Sequence, residues 1–130
     1  MNSDILIGSW LNELGGSSNL YQSIDESTIN DLDYIVSDVE AIDNIVEFTL
    51  SSIDDPNTSG SHILSYRYMG SSSGNGQLEV ELLDGVTSIA LWTHDISDTS
   101  WHTVNQTLSS AEADSIGDYT NLRLKFTARA

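Results

Sequence analysis

The sequence predicts an all-β fold: a two-sheet antiparallel β-sandwich, jelly-roll-like, with one short helix near residues 110–116. Three observations predict it. Gln77 to His94 (QLEVELLDGVTSIALWTH) carries two alternating runs on either side of Asp84-Gly85, and Asp-Gly between alternating hydrophobics is a strong local hairpin signal. A hairpin by itself is marginal in water, so the rest of the chain must cover its apolar face. Eight or nine short β-branched and aromatic runs recur at roughly 8–15-residue spacing, divided by Gly, Ser, Asn and Asp, which is the pattern of a sandwich. Finally, no internal repeat points to a propeller or solenoid. The chain has 130 residues, which fits one domain spanning 1–130.

Taken in order, residues 4–10 (DILIGSW) predict a first strand, closed by a turn at Gly15-Gly16-Ser17-Ser18. Leu20 to Ile24 predicts a short strand or extended segment, and Asp25 to Thr28 an acidic turn. Ser27 to Asp33 has room for one helical turn and no more. Asp33 to Ser37 is β-branched and aromatic and predicts a strand, and 38–44 an acidic loop. From Ile45 the pattern is cleaner, because Val46, Phe48 and Leu50 alternate with Ile45, Glu47 and Thr49 in a half-buried strand. Turn residues around the only proline, Pro56, separate it from His62 to Met69. There Leu64, Tyr66 and Tyr68 share one face, and Ile63, Ser65 and Arg67 the other.

Gly70 to Gly76 forms a flexible connection into the hairpin. With a two-residue turn at Asp84-Gly85, Leu83 faces Val86, Val80 lies opposite Ile89 and Leu78 opposite Leu91 on the core side. Glu79, Glu81, Ser88 and Ala90 take the other side, with Trp92 opposite Gln77. After a turn at Asp95 to Asp98, Trp101 to Leu108 predicts a strand. Ser109 to Ile116 is the helix, with Ser109 and Glu112 as a capping box and Gly117 as the stop. Asn121 to Ala128 predicts the last strand, with Leu122, Leu124 and Phe126 inward and Arg123, Lys125 and Thr127 outward.

Charge limits the partners. Twenty acidic residues against four basic ones give a net charge of −16, and residues 1–65 hold twelve acids and no Lys or Arg. Nucleic-acid binding needs cations to neutralise phosphates, so no nucleic-acid partner is expected. An anionic membrane surface is disfavoured on the same ground, so no membrane partner is expected. The outward Arg67, Arg123 and Lys125 have Glu47, Glu79 and Glu81 as candidate cross-strand partners, pairs worth on the order of tenths of a kcal/mol each. Cysteine is absent, which removes disulfides, thiolate metal sites and thiol catalysis. Neither an export signal nor an apolar run of membrane-spanning length is present, so synthesis in a cytoplasm is expected.

No catalytic, cofactor or metal-ligating residue set emerges. His62, His94 and His102 lack metal-ligand spacing, and no Ser nucleophile elbow accompanies them. Acid pairs at Asp25-Glu26, Asp31/Asp33, Asp38/Glu40 and Asp54-Asp55 are the right chemistry for calcium, but none fits a calcium-loop pattern. Trp10 and Trp101 lie at strand ends, and Trp92 falls on the outer face of the hairpin, so sugar stacking on an exposed Trp stays open beside a packing role.

The ordered segments Gly8-Ser9-Trp10, Gly15-Gly16, Asn19-Leu20-Tyr21, Ile24-Asp25-Glu26, Asp33-Tyr34-Ile35, Phe48-Thr49-Leu50, His62 to Tyr68, Leu91 to His94, Gln106-Thr107-Leu108 and Asp118 to Leu124 resemble a β-sandwich domain recurrent in virion structural proteins of tailed bacteriophages. The likeness runs through nearly the whole chain, and none of its motifs is catalytic. It implies a non-enzymatic capsid decoration or cement protein on the head surface, assembled in the host cytoplasm. The major capsid protein or other virion proteins would be its partners, and it would cluster as a dimer or trimer. A tail or fibre accessory protein is one alternative, and a small carbohydrate-binding module another.

Overall fold

The last strand of the sequence is the middle of the larger sheet. The computed structural model describes residues 1–25, 27–37, 43–71 and 76–129. Within them the strands are β1 (Ser3–Leu6), β2 (Leu11–Asn12), β3 (Ile35–Val36), β4 (Asn44–Thr49), β5 (Ile63–Tyr68), β6 (Gly76–Asp84), β7 (Thr87–Ile96), β8 (His102–Thr107) and β9 (Leu122–Arg129), with one α-helix, α1 (Ser110–Asp114). Five strands form an antiparallel sheet in the order β1-β4-β9-β6-β7, and two antiparallel ribbons, β2-β3 and β5-β8, accompany it. The fold is all-β and sandwich-like, as the sequence predicts.

Alternation explains the larger sheet. Val46 and Phe48 of β4, Leu124 of β9 and Val80 of β6 meet on the inner face, all at or near zero exposure. Leu64, Tyr66 and Tyr68 of β5 pack against them from the facing ribbon. Toward the hairpin tip a second cluster joins Leu82, Ile89 and Ala90 to Leu108, Ala113, Ile116 and Tyr119, so α1 and the following loop close that end of the sandwich. Leu50 and Trp92 touch both clusters. The outer face carries the predicted charge pairs Arg123–Glu47 at 3.7 Å and Lys125–Glu81 at 2.9 Å. Two pairs differ from expectation. Glu79 is taken by Arg129, which also holds Asp43, and Arg67 pairs with Asp31.

The hairpin forms, but in a different register. Its turn is Gly85-Val86, because Asp84 pairs with Thr87. Gly85 takes φ +60°, which its missing Cβ permits, and Val86 projects 88% exposed. Asp84 is instead drawn to the backbone N–H groups of Gly117 and Asp118. Between Leu83↔Ser88 and Leu82↔Ala90 one residue, Ile89, is left over, making a β-bulge. Beyond it Val80 lies opposite Trp92 and Leu78 opposite His94. Trp92 and His94 therefore face the core and Leu91 the solvent, the reverse of the predicted faces, while Glu79 and Glu81 do lie on the outer face.

The first third departs most from expectation. The strand predicted over 4–10 stops at Leu6, because Gly8 turns at φ +58° with its backbone pressed against Asn44 and the Ile45 carbonyl. A Cβ there would meet that oxygen at 2.5 Å. Leu20–Ser23 is a 3₁₀ turn and not a strand, since the Asp4 carboxylate accepts from the N–H groups of Leu20 and Tyr21, both at 2.9 Å. Residues 27–33 hold a turn closed by Asp33 N–H donating to the Asn30 carbonyl, with no helical segment. The strand predicted over 33–37 is two residues long. The helix keeps its Ser109–Glu112 capping box but ends at Asp114, with Ser115 as C-cap. Most of the predicted loop 38–44, residues 38–42, and residues 72–75 of the flexible connection lie outside the described residues.

Candidate functional site

The densest group of chemistry-bearing side chains lies on the seam between the β5-β8 ribbon and the edge strand β7. Alternation on β5 turns Tyr66 and Tyr68 inward, and the β8 register puts His102 opposite Tyr68 and Gln106 opposite Leu64. The bulge supplies the last member by turning His94 toward them. His94 Nε2 lies 2.6 Å from the Tyr66 hydroxyl, and Gln106 Nε2 donates to the same oxygen at 3.2 Å. The Tyr66 oxygen can accept from Gln106 and still donate its own proton to His94 Nε2 when that nitrogen is unprotonated. Tyr68 contacts two imidazoles, tilted against His94 with centroids 4.8 Å apart and stacked on His102 at 5.2 Å. His102 in turn contacts the Asp98 carboxylate at 2.9 Å.

The electrostatics follow from this packing. Loss of solvent pushes the Tyr66 phenol above its ordinary value, partly opposed by the hydrogen bond from Gln106. Burial holds His94 below the usual imidazole range, and the nearby His102 adds to it. The His102 hydrogen bond lowers Asp98, helped by the Ser100 N–H. The group can hold and reverse one hydrogen bond as protons come and go.

A second location is an open, polar groove of about 470 Å³ between the 54–60 turn and α1, lined by Asp55, Asn57, Asp114 and Tyr119 among others. The Tyr119 hydroxyl of this lining lies 2.7 Å from His62 Nε2, while His62 Nδ1 faces the Gly60 carbonyl. Burial raises the Tyr119 phenol, with Asp55 and Asp114 adding in the same direction. Among the described residues no three His, Asp or Glu side chains converge as metal ligands, and Asp31 is committed to Arg67. Glu26, Asp38 and Glu40 lie outside the described residues.

The three tryptophans separate. Trp10 is buried, its indole N–H donating to the Asn44 carbonyl at 3.0 Å. Trp92 is partly buried and packs against both core clusters, which favours a packing role. Trp101, just before β8, is partly exposed, with Tyr34 edge-on at 6.5 Å and the Arg67 guanidinium over its ring, 5.3 Å from the ring centre. The three histidines do not meet at one centre. His94 and His102 are brought together through Tyr68, and His62 sits apart against Tyr119. The Tyr66–His94 contact was hidden from sequence reasoning by the bulge; the inward alternation of Tyr66 and Tyr68 was its one visible signal.

Compared with protein-family models, with curated proteins and with solved structures, the chain matches none.

Proposed function

We propose that the protein works by contact and not by catalysis, as a virion structural protein of the tailed-phage kind, seated as a decoration or cement subunit on the outer surface of the capsid. The observation that carries this reading is the ordered series of segments resembling the phage sandwich domain, spread from Gly8 to Leu124. Surface chemistry supports it. In the first third, Leu11 and Val36 pair across β2 and β3 with both side chains outward, 37% and 36% exposed, and Leu14 and Leu32 are more exposed still. Grouped apolar side chains at a surface favour a protein partner. Arg67, whose partner Asp31 is next to Leu32 in the sequence, is already bound by that carboxylate through two hydrogen bonds. A dimer or trimer on the shell would therefore rest on apolar contacts, because a second copy brings the same surplus of acids.

The test is co-sedimentation of the purified protein with undecorated capsids. Binding in fixed stoichiometry, lost in the double variant Leu11→Asp/Val36→Asp, is the expected result. Recovery only with tails would transfer the reading to a tail or fibre accessory protein, and binding to neither would remove the virion role.

Trp101 favours a second reading, a carbohydrate-binding module. A partly exposed indole beside Tyr34, with the Arg67 guanidinium over its ring and Asp31 holding that guanidinium, brings together an aromatic surface and polar groups of the kind that bind a sugar. Glycan-array binding abolished by Trp101→Ala is the expected outcome under that reading, and an array without a hit would end it.

A further inference from the structure

We infer that His94 is a proton-dependent latch holding the β5-β8 ribbon on the five-stranded sheet. The ribbon reaches that sheet at this end through Tyr66 and Tyr68, both touched directly by His94, with His102 stacked on Tyr68 behind them. With Nε2 unprotonated, His94 accepts the Tyr66 hydroxyl proton. Protonation reverses that hydrogen bond: Nε2–H becomes a donor to an oxygen that already accepts from Gln106, and the Tyr66 proton loses its acceptor. The same proton places a positive charge one ring away from His102, across Tyr68. Stacking on Tyr68 offsets part of that cost.

The groups facing His94 are known from each packed element. From β5 they are Tyr66 and Tyr68, and from β8 His102 and the neutral Gln106. From β6 the residue opposite is Leu78, and from β9, one strand further, Ala128. The nearest carboxylate on this side, Asp98, is engaged by His102. Asp95 points to the other face, where Gln77 donates to it. Among the described residues no carboxylate stands ready to receive the His94 charge.

The sign follows from burial. The folded chain binds this proton less readily than the unfolded chain, whose imidazole keeps the ordinary value of 6.5. The stability supplied by neutral His94 is complete above that value and is lost as pH falls below it toward the lowered folded value. The loss is confined to the ribbon, because the inner face of β4 and β9 carries no titratable side chain at Val46, Phe48, Leu124 or Phe126.

Amide hydrogen exchange on the intact protein at about pH 7.5 and about pH 5, corrected for intrinsic rates, tests this directly. The expected result is that protection of Ile63–Tyr68 and His102–Thr107 falls roughly threefold or more relative to Leu122–Arg129 at the lower pH. His94→Gln, which keeps an acceptor for Tyr66 but does not titrate, should abolish the difference. Equal change in ribbon and β9, or a difference that survives His94→Gln, overturns the latch. NMR titration of the His94 ring in the unmodified protein gives a second measurement independent of variant folding. Titration below the free imidazole value is expected, and titration at or above it overturns the proposal.

Discussion

β9 and β1 belong to the same sheet, yet they are held by different means. β9 is flanked on both sides by long partners, and its inward residues are covered by β4, β6 and the β5-β8 ribbon. Burial and ladder hydrogen bonds suffice there, and local side-chain devices are unnecessary. β1 is an edge strand of four residues with a bulge, and the chain around it holds its shape through side chains that bind backbone: Asp4 on Leu20 and Tyr21, Asn12 on Leu14 and Gly16, Asn44 on Ser9. Where a segment cannot bury enough apolar surface, polar side chains must satisfy its backbone, and the segment becomes specific without becoming regular.

Three substitutions break or sharpen this contrast. Phe48→Ala removes a fully buried ring from the regular region and is expected to cost about 3–5 kcal/mol, read as a lowered urea midpoint. Asp4→Ala leaves two N–H groups without their carboxylate and is expected to cost about 2–3 kcal/mol, with Asp4→Asn recovering part of it. Amide exchange should place that loss at Leu20 and Tyr21 and spare β9. If β9 opens equally, the two regions are one cooperative unit and the contrast fails. Glu81→Gln removes a partly exposed pair with Lys125 on the outer face and should cost under about 1 kcal/mol, shrinking further in high salt. A larger effect would mean that charge pairing, as well as burial, holds the regular region.

The same contrast decides what was legible in the sequence. β4, β5, β6 and β9 alternate with period two, and a half-buried strand writes that period directly into its residues, so their faces follow from the sequence alone. The capping box at Ser109 and Glu112 was equally plain, because its partners are three residues apart. Residues 1–36 are less legible because the groups that shape them are distant in sequence. Nothing near Leu20 announces that Asp4 will cap it, and nothing near Gly8 announces Asn44. The candidate site is hidden for another reason. A regular hairpin sends Trp92 and His94 outward, and only an unpaired Ile89 sends them inward, a choice made by the sheet's packing and not by local pattern.

That unpaired residue has a consequence for how the gene can change length. Deleting Ile89 would remove the bulge and still leave Leu82 opposite Ala90 and Val80 opposite Trp92, so every later side chain would keep its face. Deleting Leu91 instead would bring Trp92 opposite Glu81 and turn Trp92, His94 and Ile96 out of the sandwich. Codon losses two positions apart in one strand would thus have opposite fates, with the first expected to yield a weakened but correctly faced sheet and the second an inverted one.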